Sequence, residues 1–181
     1  FEFISNNLPK DIQLQVSNSS AIRYIQLVTI DKSIEVFCNR GTSGIDGSTS
    51  TAIGAALQSD KPTICITGDI SFFYDSNALW NNYIPKNFKI IIINNSGGGI
   101  FRILPGHQET EVFNTFFEAS HQLNASHLAK MFGFNYFEVN DGISLNNNWD
   151  KFMSQNDSPA ILEIFTPEKI NDKILKNYFK C

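Results

Sequence analysis

The sequence predicts an α/β fold, a parallel sheet of about six strands with helices on both faces. Two observations carry this. Residues 64–67 and 90–93 are β-branched, apolar and free of polar alternation, as strands buried on both faces are. Strand-like runs also alternate with segments of helical period, the layout of βαβ units.

Residues 1–12 are polar, contain Pro9, and read as a linker from an upstream region; the domain proper is expected over 13–181. Residues 14–16 form a short strand, and the cluster Ser17-Asn18-Ser19-Ser20 is a helix-start signal. A helix follows over 21–29 with Ile22 and Ile25 on one face, then a strand over 34–38 and a glycine-bearing loop over 39–47. Residues 48–58 form a helix whose alanines permit close packing. After the strand 64–67, residues 72–83 read as a helix with Phe72, Leu79, Trp80 and Tyr83 near one stripe, and Pro85 helps to end it. Residues 102–122 show no clean period; Phe113, Phe116 and Phe117 suggest a covering flap or short helix over the site. A helix over 126–132 stops at Gly133, and a strand spans 135–139. Residues 143–154 make a poor helix by propensity, with three asparagines at 146–148. The last strand is 160–165 and the last helix 167–178, with Ile170, Ile174 and Tyr178 in register.

Both central strands end in small polar residues: Gly68-Asp69 after the first, Asn94-Asn95 and Gly97-Gly98-Gly99 after the second. Ligands of open α/β sheets collect at the strands' carboxyl ends. Mg²⁺ takes about six oxygens, from one or two carboxylates, phosphates and water. Asp69 can supply a carboxylate oxygen, Asn95 an amide oxygen, and the following loop a carbonyl. Gly68 removes a side chain where backbone must approach a ligand. Ser71 reads as a helix N-cap, leaving N–H groups free for an anion. Gly-Asp and Asn-Gly pairs are also common turn punctuation, so each alone says little.

Together they say more. The spacing of G-D-I-S at 68–71 and N-N at 94–95 resembles the thiamine diphosphate signature. C-N-R-G-T-S-G-I-D-G at 38–47 (Cys38 where Ser is usual), G-D-I-S-F-F-Y-D-S-N-A-L at 68–79, N-N-S-G-G-G-I-F at 94–101 and L-P at 104–105 resemble the 2-succinyl-5-enolpyruvyl-6-hydroxy-3-cyclohexene-1-carboxylate synthase family. The resemblance covers most of this chain but only the last third of such an enzyme.

That resemblance implies thiamine diphosphate and Mg²⁺ as cofactors, with Mn²⁺ an alternative metal. It makes Asp69, Asn95 and the Gly97 carbonyl the metal ligands. Gly68, Ile70, Ser71 and Ser43 would contact the diphosphate; Ile45 would wedge beneath the bent cofactor, and Ile100 and Phe101 would line its thiazolium side. Ser19, Arg23 and Arg40 match substrate-carboxylate residues. A planar guanidinium suits that task. The family's enzymes are decarboxylating, carbon–carbon bond-forming transferases of menaquinone biosynthesis. They decarboxylate 2-oxoglutarate and add the resulting carbanion to isochorismate. Their activating glutamate belongs to a pyrimidine-binding domain acting across a dimer interface, so no catalytic acid or base is assigned here. A C-terminal piece of a homodimeric or homotetrameric enzyme is expected, inactive alone and prone to self-association through its uncovered apolar surface.

Other readings rank lower. Acetolactate synthases and 2-oxoacid decarboxylases of the same cofactor class act on substrates with one carboxylate, which Ser19, Arg23 and Arg40 disfavour. No G-x-G-x-x-G follows the first strand, as a dinucleotide-binding domain requires. Intact Asp69 and Asn95 disfavour a vestigial interaction domain. Arg102 reads as a solvated surface charge. His107, His121 and His127 form no metal-like cluster, and His107 reads as a loop residue near the site.

Composition agrees. A chain of 181 residues that is 42% hydrophobic can bury a sizeable core, and a net charge of −4 gives no reason to expect nucleic acid or an acidic membrane surface. No apolar run approaches a membrane span, and Cys38, Cys65 and Cys181 show neither pairing nor metal spacing. A soluble cytoplasmic protein is expected.

Overall fold

A computed structural model describes residues 1–104, 106 and 108–179; the reading of His107 lies outside the described residues. The strands β1 (Gln13–Val16), β2 (Glu35–Cys38), β3 (Thr63–Gly68), β4 (Lys89–Asn94), β5 (Asn135–Val139) and β6 (Ala160–Phe165) form one sheet in the order β2-β1-β3-β4-β6-β5. Every pairing is parallel, as the buried β-branched runs predict.

Side chains along β3, β4 and β6 alternate between two apolar layers. Ile64, Ile66, Ile91 and Leu162 meet α1 (Glu2–Asn7), α2 (Ser20–Ile25) and α6 (Gly142–Ser154) on one face. Cys65, Ile90, Ile92 and Ile161 meet α3 (Ser48–Gln58), α4 (Asp69–Tyr74) and α5 (Ser126–Phe132) on the other. Each fully buried Ile, Leu or Phe contributes about 1.5–3 kcal/mol. The sheet is therefore the rigid plate on which the loops at its carboxyl edge stand.

Several elements differ from the sequence reading. The polar opening folds: α1 forms within residues 1–12, and Ile4 and Ile12 are buried in the first layer, so these two isoleucines outweigh the polar residues around them. The helix expected over 72–83 is α4 followed by a 3-10 turn, Ser76–Trp80. Between them, the Asp75 carboxylate accepts the Ser50 N–H at 2.7 Å and so braces the first turn of α3. The bend buries Phe72 and Leu79 but turns Trp80 and Tyr83 to solvent, so the expected stripe is broken. The poor helix forms in full, because Asp141 accepts the Ser144 N–H at 2.7 Å in a capping box and Trp149 and Phe152 are buried. The last helix, α7 (Asn171–Tyr178), buries Asp172 and Leu175, whereas Ile170, Ile174 and Tyr178 are exposed.

Candidate functional site

From β1 the chain goes outward to β2, then crosses back over β1 to β3, so strand order reverses between β1 and β3. Such a reversal opens a crevice at the carboxyl ends of the strands. A cavity of about 370 Å³ lies there. All ten residues expected to meet the cofactor line it: Ser43 and Ile45 from the loop after β2, Gly68, Asp69, Ile70 and Ser71 from the β3–α4 junction, and Asn95, Gly97, Ile100 and Phe101 from the loop after β4. In β3 and β4, Gly68 is in register with Ile93, which brings Asp69 level with the Asn94-Asn95 turn.

The Asp69 carboxylate is buried, and its two oxygens accept the N–H groups of Ile70 (2.8 Å) and Gly97 (3.0 Å). Burial pushes its pKa up, opposed by those N–H groups and by the nearby His121. Among the described residues no lysine or arginine pairs with it; His121 Nε2 lies 3.3 Å from Oδ2. The Asn95 amide donates to the Gly97 carbonyl at 2.9 Å, which sets those two groups side by side.

Sterics keep this corner small. Gly97 has φ +154°, and a Cβ there would stand 2.7 Å from the Glu118 carbonyl oxygen; a Cβ on Gly99 would stand 2.9 Å from the Asn95 amide nitrogen. A buried carboxylate without a cationic partner, beside an amide and a carbonyl in a cradle that Cβ atoms would fill, fits a hard divalent cation. Among the described residues no group of three or more His, Cys, Asp or Glu is placed to hold a metal, so any metal here would use mixed oxygen donors.

The helix begins at Asp69 with Gly68 as its N-cap, so Ser71 is not the cap. It sits in the first turn, and its hydroxyl donates instead to the Ile45 carbonyl at 2.5 Å, fixing the loop that carries Ile45. Strain gathers around the cavity: Ser19, Ser43, Ser96 and Ala119 all take positive φ, between 48° and 69°. Residues held this way persist only where the surroundings over-determine them, and they cluster at functional sites.

The structure separates the three substrate candidates. Ser19 lines the cavity. Arg40 is exposed, and its guanidinium donates to the Asn18 side chain at 2.8 Å. Arg23 borders an adjoining groove of about 300 Å³ that shares Ile100 with the cavity. Arg102 is not a surface charge: it is buried and forks onto Glu118 and Glu109, with the Phe113 ring beneath it. The Glu118 side chain is buried, and its carbonyl accepts the Gly98 N–H at 2.6 Å, so this pair closes the flap on the glycine loop.

The match to a family model decides the family. The model for the thiamine pyrophosphate enzyme C-terminal TPP binding domain matches residues 19–164. The chain belongs to that family. The thiamine enzyme domain is 69% identical over 180 residues to the 2-succinyl-5-enolpyruvyl-6-hydroxy-3-cyclohexene-1-carboxylate synthase of Flavobacterium johnsoniae, covering 99% of this chain and 32% of that one. It is 54% identical to the synthase of Christiangramia forsetii (97% and 30% covered) and 44% identical to that of Bacteroides fragilis (95% and 31%). It therefore spans about a third of the length of these relatives. Its fold also matches the thiamine diphosphate-dependent 4-hydroxybenzoylformate decarboxylase of Rhodococcus jostii RHA1, with a TM-score of 0.69 over 92% of this chain and 31% of that one, at 22% identity.

The sequence reading missed several residues of the site. Asn18 lines the cavity and links two loops, accepting from Arg40 and donating to the Gly44 carbonyl at 3.1 Å. Tyr74 and Ala119 also line the cavity, beside Phe116 and Phe117, which lie over the site as the sequence suggests. Phe116 and Phe117 were visible as an aromatic cluster; Asn18 and Ala119 carry no local signal.

Proposed function

We propose that this thiamine enzyme domain holds the diphosphate and Mg²⁺ (or Mn²⁺) of a synthase that decarboxylates 2-oxoglutarate and joins the remainder to isochorismate in menaquinone biosynthesis. The 69% identity to the Flavobacterium johnsoniae synthase over 99% of the chain carries this reading. When bound, thiamine diphosphate would supply the carbon nucleophile and electron sink that decarboxylation of a 2-oxoacid requires.

The chain's own residues bind and orient. Asp69, Asn95 and the Gly97 carbonyl hold the metal, and Gly68, Ile70, Ser71 and Ser43 border the diphosphate. Ile45 would support the cofactor from beneath, while Ile100 and Phe101 would form an apolar wall that excludes water from the reacting carbon. Ser19, Arg23 and Arg40 meet substrate carboxylates. We assign no general acid or base to this domain; the activating glutamate is expected in a pyrimidine-binding domain of the same enzyme, acting across a homodimer or homotetramer. Exposed Tyr74, Trp80 and Tyr83 support a covering partner.

No helix among the described residues is long and apolar enough to cross a membrane. The free Cys38 and Cys65 suit a reducing cytoplasm.

The test is turnover by the full-length protein with thiamine diphosphate and Mg²⁺. Consumption of 2-oxoglutarate that depends on isochorismate supports the reading. Preferred turnover of pyruvate would replace it with another thiamine enzyme.

A further inference from the structure

His121 belongs to no part of the cavity wall, yet its backbone and its ring are both held beside it. Its backbone N–H donates to the Ser96 carbonyl at 3.1 Å, in the turn between Asn95 and Gly97. Its Nδ1 accepts the Leu123 N–H at 3.1 Å. The ring meets Phe73 edge-on at 5.5 Å, and Nε2 lies 3.3 Å from Oδ2 of Asp69.

An imidazole nitrogen that accepts a backbone N–H carries no proton, so the ring proton sits on Nε2. That nitrogen is buried and, among the described residues, has no aligned hydrogen-bond partner. A buried donor in that condition is costly unless something completes it. Oδ2 of Asp69 lies 3.3 Å away but off the N–H line.

We propose that His121 is the positioning residue of the Asp69 carboxylate: Nε2–H takes Oδ2 from behind and fixes the carboxylate plane that faces a bound Mg²⁺. The inference rests on the metal reading above. His121 itself is not a ligand, because its free lone pair is engaged by Leu123 and Mg²⁺ prefers oxygen. Outer-shell partners of this kind set ligand orientation, and their loss typically weakens metal affinity about 10–100-fold.

Two substitutions separate positioning from packing. In His121→Gln the amide nitrogen reaches about as far as Nε2 and can still donate to Asp69. In His121→Asn the amide oxygen falls near Nδ1 and can still accept from Leu123, but nothing reaches Asp69. Mg²⁺ affinity is measured by calorimetry on the full-length protein with saturating thiamine diphosphate, after thermal unfolding has confirmed that each variant is folded.

The expected result is a loss of about 10–100-fold in the Asn variant and near-parental affinity in the Gln variant. Parental affinity in both, equal loss in both, or loss in Gln alone would overturn the inference. Parental protein whose cofactor binding ignores Mg²⁺ would instead sink the metal reading, and this inference with it.

Discussion

The backbone N–H of Gly97 donates to Oδ2 of Asp69 at 3.0 Å, tying the loop after β4 to the carboxylate at the end of β3. The two strands bring Asp69 and Asn95 to one corner because this loop turns tightly. Gly97 makes the turn possible through its φ of +154° and its lack of a Cβ against Glu118.

Substituting the site glycines therefore has two different outcomes. Gly97→Ala places a methyl group against the Glu118 carbonyl, and is expected to lower both thermal stability and Mg²⁺ affinity. A Cβ on Gly68 meets nothing within 4 Å, so Gly68→Ala should keep its melting temperature while weakening thiamine diphosphate binding. Calorimetry beside thermal unfolding checks both, and equal behaviour of the two variants would contradict the account.

The flap depends on a buried ion pair. Arg102→Met leaves the buried Glu118 carboxylate without its guanidinium, and breaking such a pair costs about 3–5 kcal/mol. Denaturant unfolding should show a loss of that order. A change under about 1 kcal/mol would mean the pair is not buried in solution.

Beneath the loop after β4, Glu163 is fully buried and accepts from Asn94 (2.7 Å), the Ala125 N–H (2.8 Å) and the Tyr136 hydroxyl (2.7 Å). Tyr136→Phe removes one donor and should cost about 1–2 kcal/mol. Glu163→Leu strands all three and should cost more than about 3 kcal/mol. Equilibrium denaturation of both variants checks that order.

Acid should release the cap of α6. The Ser144 N–H and hydroxyl hold the Asp141 carboxyl below its usual pKa. A carboxyl depressed on folding stabilises fully above its unfolded value, near 3.8, and that stability is lost as pH falls through the folded value. Asp141→Ala should thus lower the melting temperature at pH 7 and lose its effect in strong acid. A pH-independent difference would rule out the charged cap.

The sheet and the cavity were legible because their signals are local. The runs in β3 and β4 are apolar on both faces, and the glycines, Asp69 and Asn95 sit at strand ends where the chain must turn. What stayed hidden depends on partners distant in sequence. Arg102 is buried only because Glu118 folds back beneath it, and the stripe through Trp80 breaks because Asp75 is drawn to Ser50. His121 offered no local sign that its ring would lie against Asp69.

The most direct measurement is a titration of the full-length protein with thiamine diphosphate, with and without Mg²⁺, beside Asp69→Ala. The account predicts binding that requires the metal and disappears in the variant. Equal, metal-dependent binding by Asp69→Ala would show that the metal site lies elsewhere.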